Sequence, residues 1–226
     1  MAIINCNDEA LGYLKRKPTT DTLVYLPLES DLLDHSLSTK TVVNQNVTIQ
    51  NGLGYFNGNS ALRIDNFNNY LNSYPFTVLF FAKPTSFGNS SWECGLVSQK
   101  DQSPYRGRNI NIQGNNKQFR VEILNGSGHQ IFNGSTLDTN TWYSVCLTMS
   151  SSTCKLYVNG QFITSQTTAM NWSSTQLRIG DANRGNSTGT GNNAFTGYLS
   201  EIIVDKKERT AEEYLEYYNK IISKFM

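Results

Sequence analysis

One ten-residue run constrains this chain more than any other: Pro75-Phe-Thr-Val-Leu-Phe-Phe-Ala-Lys-Pro84. β-Branched and aromatic side chains fit a pleated surface, and a proline at each end keeps a helix from growing through the run. It is also much shorter than the ~20 apolar residues of a membrane-spanning helix, and no other run approaches that length. It predicts a β-strand with at least one face in a core.

The rest of the chain repeats this theme in shorter pieces. Leu23–Leu28 is mostly apolar, and Gly54–Phe56 and Ala61–Asp65 are bounded by Asn and Gly. Gly95–Gln99, Asn109–Gln113 and Phe119–Leu124 alternate apolar and polar residues, the mark of a sheet with one face in the core. Trp142–Met149 and Cys154–Ile163 are separated by a serine turn. Inside the second of these, Asn159-Gly160 is the strongest hairpin signal in the chain, because both residues tolerate positive φ. Gln176–Gly180 and Gly197–Val204 complete about thirteen expected strands, spaced as in an all-β sandwich. The polar composition agrees. Charged residues make up only 16 % of the chain and there are 26 asparagines, which favours turns over helices.

The two ends differ from this pattern. Thr210-Ala-Glu-Glu213 is a capping box, and Leu215, Tyr218, Ile221 and Ile222 follow at helical spacing, so a helix over 210–222 is expected to cover the sandwich. Asp8–Lys17 has acidic residues first and basic residues last, then Pro18, which suits a short helix. Residues 1–20 are therefore expected to be an arm or anchor outside the sandwich of residues 21–226; the alternative is a tail packed on it.

Charge and cysteines narrow the function classes. The net charge is +1 and the longest basic tract is Lys15-Arg16-Lys17, so no nucleic-acid footprint exists. No charged segment followed by an apolar one opens the chain, so no signal peptide is expected. Cys6, Cys94, Cys146 and Cys154 have no zinc-ligand spacing. Cys146 and Cys154 fall diagonally across an expected hairpin, which favours buried thiols over a disulfide. Six Asn-x-Ser/Thr triplets, such as those at Asn46, Asn89 and Asn186, are at the level chance supplies in so Asn-rich a chain.

Five segments, taken in order, resemble the laminin-G-like branch of the concanavalin A-like lectin/glucanase superfamily. They are Val24–Ser36 with its Asp34-His35-Ser36, Gly54–Asp65, Pro75–Pro84, Thr141–Ile163, and Leu177–Gly180 followed by Phe195–Tyr218. The resemblance implies a two-sheet antiparallel jelly-roll sandwich with a short C-terminal helix, and it implies that Trp142 is a buried core residue. The turn has Asn159 where the family more often has Asp, and Asn suits the same turn. This fold serves lectins, glycosidases, adhesion modules and viral structural proteins, so function must come from the site.

Glycoside hydrolysis needs two carboxylates flanking the scissile bond. Glucanases of this superfamily carry them as Glu-x-Asp-x-x-Glu on one strand, and that pattern is absent. Glu122 and Glu201 each stand alone in a strand and are expected to face solvent, although Glu201 matches a position where the family usually has an acidic residue, implying a structural bond. His35 and His129 are the only histidines, and no nucleophile elbow is present. The expectation is a non-catalytic module.

Two segments read as long loops, Asp101–Arg108 and Asp181–Ala194. Asp101, Tyr105, Arg106, Asp181, Asn183 and Arg184 are the candidate ligand-binding residues there, with Trp92 and Trp172 as candidate sugar platforms. The resemblance also makes calcium a possible cofactor, with Asp34, Asp101 and Asp181 as candidate ligands; a hard cation of this kind wants 6–8 oxygens. The function expected is a virion surface protein, a capsid decoration or fibre component of a phage or virus. It would attach through the arm to other virion or surface proteins and adhere to glycans. The alternative is a carbohydrate-binding or adhesion module of a secreted bacterial protein, and a glycoside hydrolase ranks third.

Overall fold

Each alternating segment of the sequence becomes a strand, because one face of every strand has a core to enter. The computed structural model describes residues 18–87, 93–102, 105–125, 129–167, 176–181 and 194–226; for residues 93, 100–102, 105, 125 and 129–132 the backbone alone is described. The strands, in chain order, are β1 (Thr22–Leu26), β2 (Val43–Gln45), β3 (Thr48–Gln50), β4 (Leu53–Asn57), β5 (Ala61–Ile64), β6 (Phe76–Ser86), β7 (Glu93–Gln102), β8 (Tyr105–Gln113), β9 (Gln118–Asn125), β10 (His129–Thr136), β11 (Tyr143–Met149), β12 (Thr153–Val158), β13 (Gln161–Thr167), β14 (Leu177–Ile179) and β15 (Thr196–Asp205). One α-helix follows, α1 (Ala211–Ile221).

These strands form two antiparallel sheets. The eight-stranded sheet runs β13-β12-β11-β6-β15-β4-β3, with β1 also paired to β15. The seven-stranded sheet runs β10-β9-β8-β7-β14-β5-β2. Between them lies a core that includes Phe56, Phe76, Val78, Phe80, Ile110, Ile112, Phe119, Val121, Leu147, Ile179 and Phe195, all 0–1 % exposed.

The proline-bounded run occupies the centre of the eight-stranded sheet as β6 and is buried on both faces. Phe76, Val78, Phe80 and Ala82 enter the inter-sheet core, while Leu79 and Phe81 join a second cluster on the outer face. This explains why the run is continuously apolar rather than alternating. The strand continues past Pro84 to Ser86, so the second proline does not bound it.

Helix α1 covers that outer face. Thr210 and Glu213 make the expected reciprocal capping box. The buried stripe is set by Tyr214 and Ile221, with Tyr217, Tyr218 and Ile222 packed beside them, whereas Leu215 is 43 % exposed. Tyr214 decides this register, because its hydroxyl is held between the Ser144 carbonyl and the Gly160 N–H. Trp142 also belongs here: it is half-buried, with its ring centroid 4.4 Å from that of Phe225, and the adjacent inter-sheet core aromatic is Tyr143.

Asn159 and Gly160 both take positive φ, 50° and 77°, and close β12 onto β13 as expected. Cys94, Cys146 and Cys154 are buried free thiols. Cys146 opposes Tyr157 and Cys154 opposes Met149, an odd offset that puts the two sulfurs on opposite faces of the sheet. The arm lies outside the described residues as far as residue 17.

Candidate functional site

The face of the seven-stranded sheet turned away from the core carries an unusual row. Register places Arg63 (β5), Arg178 (β14), Ser98 (β7), Asn109 (β8) and Glu122 (β9) side by side. A second row holds Asn111, Arg120 and Asn133. These residues alternate with Ile110, Ile112, Val121, Ile123, Leu177 and Ile179, which enter the core. A sheet face away from the core is ordinarily solvated, yet Ser98, Asn109, Asn111, Glu122 and Arg178 are 0–3 % exposed.

Buried polar groups are normally hydrogen-bonded, and most of this row is. Glu122 accepts from Asn109 Nδ2 at 3.1 Å and from Arg120 Nη2 at 3.0 Å. Arg178 donates to Asp181 Oδ2 at 2.8 Å, to Gln176 at 3.1 Å and to Gln45 at 3.3 Å. Arg63 pairs with Asp65 at 2.8 Å. Asn111 differs: both its amide oxygen and its amide nitrogen are buried and bond to nothing among the described residues.

The two strand glutamates are therefore not the solvent-facing residues expected. Glu122 sits in the network just described. Glu201 is fully buried on the outer side of the eight-stranded sheet, where it accepts from the Tyr25 hydroxyl at 3.0 Å, the Tyr217 hydroxyl at 2.8 Å and the Lys224 ammonium at 2.6 Å. The cause is local geometry. β15 pairs with β4 through Leu199 and with β1 from Ile202 onward, and the backbone turns at Glu201 with φ of 53°. That bulge re-aims the side chain. The structural bond implied by the family resemblance is present.

Two of the three acids considered for calcium, Asp34 and Asp181, are engaged elsewhere, and the side chain of Asp101 lies outside what is described. Asp34 is 5 % exposed, and its two oxygens accept from the backbone N–H groups of Tyr25, Ser36 and Lys40 and from the Ser36 hydroxyl. The Lys40 ammonium stands 4.0 Å away, where a cation would compete with it. Burial pushes the Lys40 ammonium down from its ordinary value, against the opposing pull of Asp34. Asp181 is fully buried against Arg178 rather than open in a loop. No group of three or more His, Cys, Asp or Glu residues that would hold a metal occurs among the described residues. A chelator is accordingly expected to leave the melting temperature unchanged, and added calcium likewise; a chelator-induced drop of several degrees would contradict this.

The first predicted loop, Asp101–Arg108, is instead a pair of strand ends. Asp101 opposes Arg106 and Gln102 opposes Tyr105, so β7 and β8 stay paired as far as that last pair. Arg106 is exposed; the side chains of Asp101 and Tyr105 lie outside what is described, as do Asn183, Arg184, Trp92, Trp172 and Cys6 entirely. Asp101, Tyr105 and Arg106 thus gather at one hairpin tip, while Asp181 belongs to the polar face. The sequence signal for that face was present in Asn109-Ile-Asn-Ile-Gln113 and Leu177-Arg-Ile179, whose polar positions look merely solvated when read alone.

Residues 56–213 match the family model Laminin_G_3, described as the concanavalin A-like lectin/glucanases superfamily. No curated protein matches the chain. Among solved structures, it is similar to the binding domain of Paraclostridial Mosquitocidal Protein 1, with 18 % identity and a TM-score of 0.72 over 88 % of this chain and 52 % of that one. It is similar to domain 4 of AbnA, a GH43 extracellular arabinanase from Geobacillus stearothermophilus solved in complex with arabinotriose, with 16 % identity and a TM-score of 0.66 over 88 % of this chain and 98 % of that one. It is also similar to a structure of botulinum neurotoxin type C, whose cell entry depends on interaction with two ganglioside molecules, with 18 % identity and a TM-score of 0.68 over 88 % of this chain and 51 % of that one. The chain spans about half the length of the two toxin structures. At these identities the likeness is one of fold.

Proposed function

As a member of the concanavalin A-like lectin/glucanases superfamily, to which this chain belongs, the protein is, we propose, a non-catalytic glycan-binding module. One observation carries the reading: across five adjacent strands the face of the seven-stranded sheet away from the core is lined by amide, guanidinium and carboxylate groups that are enclosed rather than solvated, with the Asn111 amide unpartnered among the described residues. Four strand spacings of ~4.8 Å make this row about 19 Å long, the scale of a short oligosaccharide. Planar amides and guanidinium groups match the paired hydroxyls of sugars, and an unpartnered buried amide gains most from a new partner. Glu122 and Asp181, the carboxylates described on this face, each bear an arginine, an arrangement that supports a structural role for both rather than an acid–base pair.

Binding to a glycan array tests this. The chain is expected to bind a defined subset of glycans, and Asn111→Ala and Arg120→Ala are each expected to weaken binding about tenfold, the size of one or two lost polar contacts. Absence of binding would overturn the module reading. Binding lost only in Arg106→Ala would move the site to the β7–β8 tip, where the candidates Asp101, Tyr105 and Arg106 lie. Hydrolysis of a glycan that vanishes in Glu122→Gln would overturn the non-catalytic reading.

We further place the module on a virion surface, with residues 1–20 as its attachment to other virion or surface proteins. The Asn-rich, weakly charged composition and the distinct N-terminal segment support this. An extracellular module of a secreted protein is the second reading, favoured by the likeness to domain 4 of an extracellular arabinanase. Recovery of the chain in purified virions, as against a secreted or cell-wall fraction, separates the two.

A further inference from the structure

The inward face of β7 and β8 holds a second polar cluster, unrelated to the outer face. Inward positions on these strands run Val97, Gln99 and Ile110, Arg108, with Gln99 the direct cross-strand partner of Arg108. Val97 and Ile110 pack in the core as expected. One pleat further, Gln99 and Arg108 are still enclosed, each 1 % exposed. The Arg108 guanidinium lies over Phe76 of the opposite sheet, its Cζ 4.2 Å from the ring centroid. One side of the cation is thus satisfied by an aromatic ring.

Its edge is not satisfied. Nη1 and Nη2 of Arg108 are buried and form no hydrogen bond, and neither amide atom of Gln99 does. Among the described residues, the groups that act on the guanidinium are the Cys154 thiol and the Tyr74 hydroxyl. Burial lowers the Arg108 pKa to about 9 and raises that of Cys154 to about 12, so the cation persists at neutral pH with no anionic partner among the described residues. An uncompensated buried charge is strongly destabilising, whereas an apolar residue of similar size would be tolerated in its place. An arginine kept between two sheets, with the edge of its guanidinium unbonded among the described residues, is suited to take a counter-charge from a ligand. The planar fork of two N–H-bearing nitrogens matches the two oxygens of a carboxylate, and Gln99 Nε2 stands on the neighbouring strand to supply a third donor.

We propose that Arg108 and Gln99 form a carboxylate-binding site between the two sheets, at the end of the sandwich where the β7–β8 hairpin closes. The carboxylate takes the edge of the guanidinium while Phe76 holds its face. It belongs either to a free small acid or to an acidic sugar. Two register positions further toward the hairpin tip, the backbone of Asp101 opposes that of the exposed Arg106. The site does not depend on the glycan reading of the outer face.

Thermal melting of the full chain tests it with two probes, acetate and glucuronate, titrated at ionic strength held constant with sodium chloride. The expected result is a saturable rise of several degrees in melting temperature, since a ligand that binds only the folded state stabilises it by mass action. Arg108→Met is expected to abolish the rise, and Arg108→Lys, which keeps the charge and loses the fork, to weaken apparent affinity at least tenfold. Should Arg108→Met fail to fold, Arg108→Lys and Gln99→Leu carry the comparison. A stronger effect of glucuronate identifies an acidic sugar; an equal or stronger effect of acetate identifies a small free acid. No rise with either probe, or an unsaturated rise shared by Arg108→Lys and Gln99→Leu, overturns the proposal and leaves solvent as the partner of Arg108.

Discussion

Gly197→Ala is expected to destabilise the chain by about 4 kcal/mol, the sum of an overpacking and a backbone-strain contribution of about 1–3 kcal/mol each. Gly197 has φ of 148°, and a β-carbon there would lie 2.2 Å from the Lys83 carbonyl oxygen, 2.8 Å from Phe195 and 3.0 Å from the Pro84 α-carbon. Two of these neighbours are backbone atoms of β6, to which Gly197 is paired opposite Pro84. The backbone of a central strand cannot swing aside as a flexible side chain can. For a chain of this size the cost corresponds to a drop of roughly 8–16 °C in melting temperature, read also as a lower urea midpoint at unchanged slope. Gly52→Ala is the control. Gly52 also has positive φ, 72°, but its nearest neighbour to a new β-carbon is 3.8 Å away, so only the conformational cost of about 1 kcal/mol applies. Equal losses at the two positions would show that close approach to β6 does not matter.

Glu201→Ala carries the second large effect, about 3 kcal/mol, because it leaves a lysine and two tyrosine hydroxyls without their shared acceptor in a largely buried setting. The bonds to Tyr217 and Lys224 tie the C-terminal segment to β15, so its docking should loosen first. Amide exchange is expected to accelerate across Ala211–Ile221 before the sheets open; uniform acceleration would contradict a local role for Glu201. A pH signature accompanies the effect. Burial alone would lower the Lys224 ammonium, but the charge and hydrogen bond of Glu201, with Glu29 adding to them, hold it above its ordinary value of 10.5. A raised lysine value means that its stabilisation is complete below the unfolded value and is lost as pH rises through the folded one. Stability should therefore fall above about pH 10.5, by less in Glu201→Ala than in the parent chain.

How far the sequence led differs by element. The turn at Asn159-Gly160, the start of the strand after Pro75 and the cap at Thr210 are decided by neighbours within a few residues and appear where expected, whereas that strand runs past Pro84 to Ser86. Spacing alone does not fix the helix register, because it suits Leu215 and Tyr214 equally, and only the reach of the Tyr214 hydroxyl to Ser144, 70 residues away, selects between them. Glu201 looked like a surface strand residue because nothing local announces the bulge that turns it inward. Asp101–Arg108 looked like a loop because its Pro, Gly and charged residues disguise two strand ends.

What the sequence determined by itself is most of the strands, the Asn159-Gly160 turn, the capped helix and the sandwich class, while β2, β3 and β10 lie outside the segments it marks as strands. These follow from period-two alternation and from residues that tolerate special backbone angles, both short-range properties. Alternation says which side chains share a face; it does not say which faces are enclosed or what lies across from them. Only the tertiary structure could bury Asn109, Asn111 and Glu122 on the side away from the core, lay Arg108 on Phe76, and gather Tyr25, Tyr217 and Lys224, which are 176, 16 and 23 residues away, around Glu201. Those enclosures arise from sheet pairing and sheet stacking between distant segments, and they are where the candidate sites of this protein reside.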